Sequence, residues 1–250
     1  PGDPKAVTVT DAELRRCEPG VMLNDNVLDF FAAWLARRLD REAPELASRV
    51  HFFNAFFFKK LSGSDANDNV PLASRRGTAA ANAAAHERVR KWTAGTDVFA
   101  KDFLLVPIHH GMHWSLAAVC YPAAGAAGGV PAPAEGAALP PAPGPARPYV
   151  VHFDSLRGTH AEVADQRLRA WLAHEWVARR PASGVSLGEA ERWFGDPKVV
   201  QPKAPSVPQQ DNSIDCGFFV LEFMARFVEE AGKVVRARGY MGAAGAEGWP

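Results

Sequence analysis

The stretch Gln209-Gln210-Asp211-Asn212-Ser213-Ile214-Asp215-Cys216-Gly217-Phe218-Phe219-Val220-Leu221 decides how the chain is read. A polar, turn-forming run ends at a cysteine, and an apolar segment follows that is stable only when buried. This places Cys216 at or near the first turn of a buried helix. There, unpaired backbone N–H groups and the positive end of the helix dipole favour a thiolate. A nucleophilic cysteine is useful at such a place. The rest of the chain must then supply a base, a group that orients the base, and a path for substrate.

The flanking chain gives the scaffold. Tyr149–Phe153 reads as a strand, and so do Phe103–Ile108 and Trp114–Tyr121, the latter two joined as a hairpin through His109–His113. Upstream, Asn24 or Asp25 caps an amphipathic helix. Its apolar positions, Val27, Leu28, Phe31, Trp34, Leu35 and Leu39, recur at three- and four-residue spacing and read as core. Before it, Val7–Thr10 has the composition of a short strand, and Asp11–Arg16 reads as a capped helical turn. Pro44 interrupts the pattern. The phenylalanine-rich run His51–Leu61 has no clean period, so it is buried as either strand or helix. Residues 62–77 read as a surface loop and residues 78–92 as a helix. A further helix is expected from Thr159 to about Arg180, with Leu168, Trp171, Leu172 and Trp176 on one stripe. Residues 181–208 look loop-rich, with a short strand at Lys198–Val200. The helix opened by Cys216 is expected to reach about Ala231.

Residues 122–148 are almost wholly Pro, Ala and Gly, so they cannot bury a core and read as a disordered insertion. Strand pattern resumes at Tyr149, and a long loop between neighbouring strands costs little extra closure entropy. The expected organisation is one catalytic domain over residues 1–250. Its core covers about 7–231, with the insertion at 122–148 and a frayed tail at 237–250. The fold class is α+β, a mixed sheet flanked by helices.

Composition narrows the function. The 28 basic and 28 acidic residues cancel to a net charge of +0, which argues against a broad electrostatic grip on nucleic acid or acidic membrane. No apolar run approaches the roughly 18 residues of a membrane span. Pro1-Gly2-Asp3-Pro4 is not a signal peptide and lacks an initiator Met, so a piece of a longer chain is expected. Cys17, Cys120 and Cys216 are odd in number and widely spaced. They form neither a disulfide framework nor a metal knuckle, which points to a reducing compartment.

A thiol protease needs an imidazole, an orienter and oxyanion donors. His51 and His86 lie in buried or helical contexts, and His160 and His174 on the later helix. The hairpin offers His109, His110 and His113. Of these, His113 opens a strand beside Trp114, an aromatic able to cover a substrate. Asp154 ends an apolar strand, where it is either an orienter or an ordinary turn-initiating Asp. Gln210 is either a loop glutamine or a donor to an oxyanion beside the Cys216 N–H. The clustered histidines also invite a zinc reading, but three on a tight turn rarely converge and no fourth ligand is near in sequence. Cys216 alone could be a small buried hydrophobe.

Read together, these surroundings resemble the SUMO-specific cysteine proteases, the Ulp/SENP family, which share a fold with adenovirus protease. Pro208–Gly217 looks like their Pro-Gln-Gln-x-Asn-x-x-Asp-Cys-Gly motif. Val106-Pro107-Ile108 through His113-Trp114-Ser115-Leu116 resembles the strand leading to His-Trp, and His152–Leu156 the strand-terminal Asp-Ser. Leu23-Asn24-Asp25 resembles the substrate-side Leu-Asn-Asp. The resemblance spans roughly residues 7–231, with the four motifs in the family's order.

The resemblance implies a papain-like, adenovirus-protease-like domain. Cys216 is its nucleophile, His113 its general acid/base, Asp154 its orienter and Gln210 its oxyanion donor. Trp114 would cover a tunnel for a Gly-Gly tail, narrow enough that only residues without a Cβ thread it. Asp25 would lie on the face that docks the ubiquitin-like body. Met22 stands where many members carry a second tunnel aromatic, and its flexible thioether stacks less well. With Cys17-Glu18, His51–Asn54, Lys91-Trp92 and Lys101-Asp102-Phe103, this suggests the branch that trims poly-SUMO chains. The implied activity is an isopeptidase that releases SUMO from lysines after its C-terminal Gly-Gly. The alternatives are a protease for another modifier such as NEDD8, or an inactive SUMO-binding homologue. The implied partners are SUMO and its conjugates, with no nucleic acid and no membrane. A monomer, a nuclear location and no metal or organic cofactor are expected.

Overall fold

The structure is a computed structural model that describes residues 7–63, 78–124, 148–156, 160–195 and 207–240. Its centre is a four-stranded sheet in the order β1-β2-β3-β4. The strands are β1 (Val50–Phe52), β2 (Phe103–His110), β3 (His113–Cys120) and β4 (Tyr149–Phe153). β1 runs parallel to β2, and β2, β3 and β4 are antiparallel neighbours. The sheet is therefore mixed, as the sequence implied.

Helices cover both faces, so the strands are apolar almost throughout. Alternation sorts their side chains. Leu104, Val106, Ile108, Ala117, Val119 and Val150 face α4 (Phe56–Ser62), α5 (Ala79–Val89), α6 (His160–Arg179) and α7 (Leu187–Gly195). Phe103, Leu105, Trp114, Leu116, Ala118 and Cys120 face α2 (Asp25–Glu42), α3 (Pro44–Arg49) and α8 (Cys216–Tyr240). On the first face Trp171 meets the rings of Phe53 and Phe57 edge-on, with centroids 5.6 and 5.1 Å away. Each such fully buried large side chain contributes about 1.5–3 kcal/mol.

Several local readings are revised. Val7–Thr10 forms no strand. Thr10 instead caps α1 (Asp11–Arg15), accepting from the Ala12 N–H while Glu13 accepts from the Thr10 N–H at 3.0 Å. This capping box satisfies donors that no neighbouring strand reaches. His51–Leu61 is neither all strand nor all helix: β1 ends at Phe52, and Asn54 turns the chain into α4 by accepting from the Phe56 and Phe57 N–H groups.

On α2 the cap is Asn24, and the buried stripe is Val27, Leu28, Ala32, Leu35 and Leu39. Trp34 lies outside that stripe and is 42% exposed, with the Arg38 guanidinium over its ring. α7 falls within a passage that reads as loop. It carries its own capping box, Ser186 with Glu189. α8 extends past Ala231 to Tyr240, because no Pro or left-handed Gly stops it there. The strand expected at Lys198–Val200 and nearly all of the 122–148 insertion lie outside the described residues.

The hairpin turn is tighter than expected, only Gly111-Met112. Both adopt left-handed φ, at 57° and 58°, the geometry of a type I′ turn. His110 and His113 are thereby a terminal strand pair, and His113 is held at the end of the sheet.

Candidate active site

Three segments meet at that end. β3 begins with His113, β4 ends just before Asp154, and α8 begins with Cys216. His113 Nε2 lies 2.6 Å from Asp154 Oδ1, with both side chains about nine-tenths buried. The same carboxylate oxygen accepts the Leu156 N–H at 2.9 Å, which turns the chain after β4. Cys216 also acts on the His113 ring and favours its charged form.

The sulfur has further donors. The backbone of Trp114 and of Gly217 also hydrogen-bond it. Pairing of β3 with β4 ends at Leu116–Phe153, so β4 does not take up the Trp114 N–H. Gly217 supplies a donor of the first helical turn, where amides have no partner within the helix.

These contacts set the charges. Burial alone pushes the His113 imidazolium down. Its bonds to Asp154 and Cys216, and their charge, outweigh burial and raise it to about 9. Burial alone would raise the Cys216 thiol. The bond and charge of His113, with the Trp114 and Gly217 amides, overcome this and hold it below its ordinary 9.0. Asp154 is likewise kept below the usual carboxylate range, because the bonds from His113 and the Leu156 amide outweigh its burial. A thiolate–imidazolium pair is the favoured state, and a thiolate so placed can attack a carbonyl carbon.

The loop before Cys216 is stitched to the end of β4. Gln209 Nε2 donates to the Asp154 carbonyl at 3.0 Å, and the Gln210 N–H to the Ser155 carbonyl at 2.9 Å. Ser155 Oγ donates to Gln210 Oε1 at 2.6 Å. The Gln210 amide nitrogen donates one of its two N–H groups to the Asn212 carbonyl at 2.6 Å, so only the second is left to serve an oxyanion. Asn212 Oδ1 accepts the Ile214 and Asp215 N–H groups, fixing the turn into α8.

The substrate-side residues adjoin this centre unequally. Trp114 is buried and donates from Nε1 to the Leu23 carbonyl at 3.2 Å, and the His109 ring lies 4.4 Å from its own. Leu23 also presses on Gly217, where an added Cβ would sit 2.7 Å from Leu23 Cβ. Met22, the residue before, is half-buried against the same core. Asp25 is the first residue of α2, two residues after Leu23, and makes no described bond to His113, Asp154 or Cys216. The structure thus brings His113, Asp154, Cys216 and Trp114 together, places Gln210 beside them, and sets Met22 and Asp25 further along the same edge. Ser155 and Gln209 hold the loop, a role no spacing signals. Among the described residues no group of three or more His, Cys, Asp or Glu could hold a metal ion. No helix among them is long and apolar enough to cross a membrane.

The family described as "Ulp1 protease family, C-terminal catalytic domain" matches residues 22–235. The chain is 33% identical over 230 residues to a probable ubiquitin-like-specific protease 2B of Arabidopsis thaliana, covering 92% of this chain and 22% of that protein. It is 32% identical over 231 residues to a probable ubiquitin-like-specific protease 2A of the same plant, covering 92% and 26%. Sentrin-specific protease 7 of Homo sapiens is 28% identical over 265 residues, covering 89% and 23%. The chain therefore spans about a quarter of the length of these relatives. Among solved structures, one titled as the de-sumoylating protease has a TM-score of 0.62 at 21% identity, covering 94% of this chain and 74% of that one. The C-terminal Ulp1 protease domain in complex with Smt3, the yeast ortholog of SUMO, has a TM-score of 0.54 at 18% identity, covering 90% and 73%. At these identities the structures speak for a shared fold.

Proposed function

Because the chain belongs to the Ulp1 protease family, we propose that it is a thiol isopeptidase that releases SUMO from lysines of conjugates or of SUMO chains. The observation that carries this reading is the contact of His113 with both Asp154 and Cys216, which favours a thiolate at a helix N-terminus. Cys216 Sγ attacks the carbonyl carbon of the terminal glycine. The C–N bond breaks, and His113 gives its proton to the departing lysine amine. Water then attacks the thioester and gives up a proton to His113. The glycine carboxylate leaves, and the thiolate–imidazolium pair is restored.

Asp154 keeps the imidazole oriented through Nε2, and Gln210 with the N–H of Cys216 receives the oxyanion. Trp114 covers the glycine tail, Met22 lines the approach, and Asp25 faces the ubiquitin-like body. One catalytic domain acting as a monomer in the nucleus fits this role, and the poly-SUMO-trimming branch is its finer assignment. A panel of ubiquitin-like modifiers carrying a C-terminal electrophile tests the reading. The SUMO probe should form a covalent adduct with the wild type and none with Cys216→Ala, which should still bind SUMO. Adduct formation with a NEDD8 probe and not with SUMO would reassign the substrate, and no adduct with any probe would refute the isopeptidase.

A further inference from the structure

Seven large apolar side chains are exposed among the described residues, and two of them, Met112 and Leu156, flank the His113–Asp154 pair. Met112 is the most exposed of the seven, at 71%. It directly precedes His113 and sits in a left-handed conformation with φ 58°. A type I′ turn favours Asn, Asp or Gly at this position, and a long side chain there is strained. Its methionine contributes nothing to the core, so folding does not account for the choice. Strain held at such a point is grounds for asking what the side chain touches in function.

Leu156 is 37% exposed. β4 and its pairing with β3 end at Phe153, and Leu156 lies in the turn that follows. The Leu156 N–H is bound to the Asp154 carboxylate, so the residue is fixed beside the pair. Met112 and Leu156 thus adjoin the His113–Asp154 pair from two chain segments, Met112 as the residue before His113 and Leu156 through its N–H bond to the Asp154 carboxylate.

We propose that Met112 and Leu156 form a rim that holds the leaving side of the substrate: the aliphatic stem of the acceptor lysine and the apolar residue beside it. This inference rests on the isopeptidase reading above. A general acid must come within about 2.6–3.2 Å of the amine it protonates. The lysine that leaves from His113 consequently passes between the side chains flanking it. The Gly-Gly tail arrives from the other side, under Trp114, and does not need this rim. Met112 and Leu156 thus select what the modifier is attached to, and Trp114 and Met22 select the modifier.

The test compares two substrates of the same chain: a SUMO dimer joined through a lysine isopeptide bond, and SUMO bearing a C-terminal coumarin amide, whose small leaving group has no lysine stem. The variants are Met112→Asn, which suits the turn and should not lower the melting temperature, and Leu156→Ser. For Met112→Asn the ratio of kcat/KM, dimer over coumarin amide, should fall about fivefold, as expected for withdrawing part of one apolar side chain's burial. The loss should appear in KM, since the contact forms on binding. Leu156→Ser should lower the same ratio. An unchanged ratio, whether because both substrates lose equally or because neither does, would overturn the rim assignment alone. A wild-type chain that hydrolyses neither substrate would overturn the isopeptidase reading and this one with it.

Discussion

Gly217→Ala tests how tightly Cys216 is tied to Leu23 and Trp114. The added Cβ would lie 2.7 Å from Leu23 Cβ and 3.2 Å from two further Leu23 carbons. Reaching ordinary contact at 3.4 Å requires an opening of about 0.7 Å. The nearest atom is a Cβ, rigid on its backbone, so a rotamer change does not relieve it. Overpacking of this kind costs about 1–3 kcal/mol, partly offset by the roughly 1 kcal/mol that Ala gains over Gly in a helix. The net loss is about 1 kcal/mol, a shift in melting temperature of about 2–4 °C for a chain of this size. Catalysis should suffer far more. The displacement falls either on Cys216, the neighbour of Gly217, or on Leu23, whose carbonyl holds Trp114. A misplacement of about 1 Å in a reacting pair costs about a hundredfold, so kcat/KM on a coumarin amide should drop about ten- to a hundredfold. Leu23→Ala on that background should recover only part of it, because the 2.7 Å contact is to the Cβ that alanine keeps. A Gly217→Ala enzyme within twofold of wild type would refute this reasoning.

The pH profile of kcat/KM should rise below the ordinary thiol range, as the lowered Cys216 ionises, and fall as pH passes about 9, where the raised His113 loses its proton. A falling limb near 6.5, the free imidazole value, would show that His113 is not held by Asp154 and Cys216. Glu175→Ala should destabilise the fold. This fully buried carboxylate accepts from Thr93 and Arg179 and contacts His86 at 2.7 Å, joining α5 to α6. Removing one partner of such a network costs about 3–5 kcal/mol. Urea unfolding should show it as a lower midpoint, and an unchanged midpoint would mean that the network is idle.

What was legible in the sequence follows the range of each interaction. β2, β3, β4 and the helix of Cys216 announce themselves because a buried run needs no distant partner to look apolar, whereas β1 does not stand out from the phenylalanine-rich run that follows it. Trp34 misled because helical spacing shows which residues share a side, not how wide the covered stripe is. α7 does not stand out in the sequence although Ser186-Leu187-Gly188-Glu189 spells a capping box, because Gly and Pro residues surround it. The Leu23–Gly217 contact has no local trace, since its partners come from opposite ends of the chain. The bonds of Gln209 and Gln210 to Asp154, Ser155 and Asn212 are equally silent, because glutamine can serve any loop.

Those silent contacts explain how three distant segments hold one geometry. Asp154 acts twice: its carboxylate meets His113, and its carbonyl receives Gln209 from the loop that leads to Cys216. His113 and Cys216 are therefore referred to one residue at the end of β4, and an error in the loop is not free to move Cys216 independently of His113. Trp114 and Leu23 close the other side, since the Trp114 ring donates to the same residue that limits Gly217. A centre built this way depends on contacts between distant segments. Its positions are set by main-chain carbonyls and a missing Cβ, contacts that a substituted side chain elsewhere in the loop does not replace.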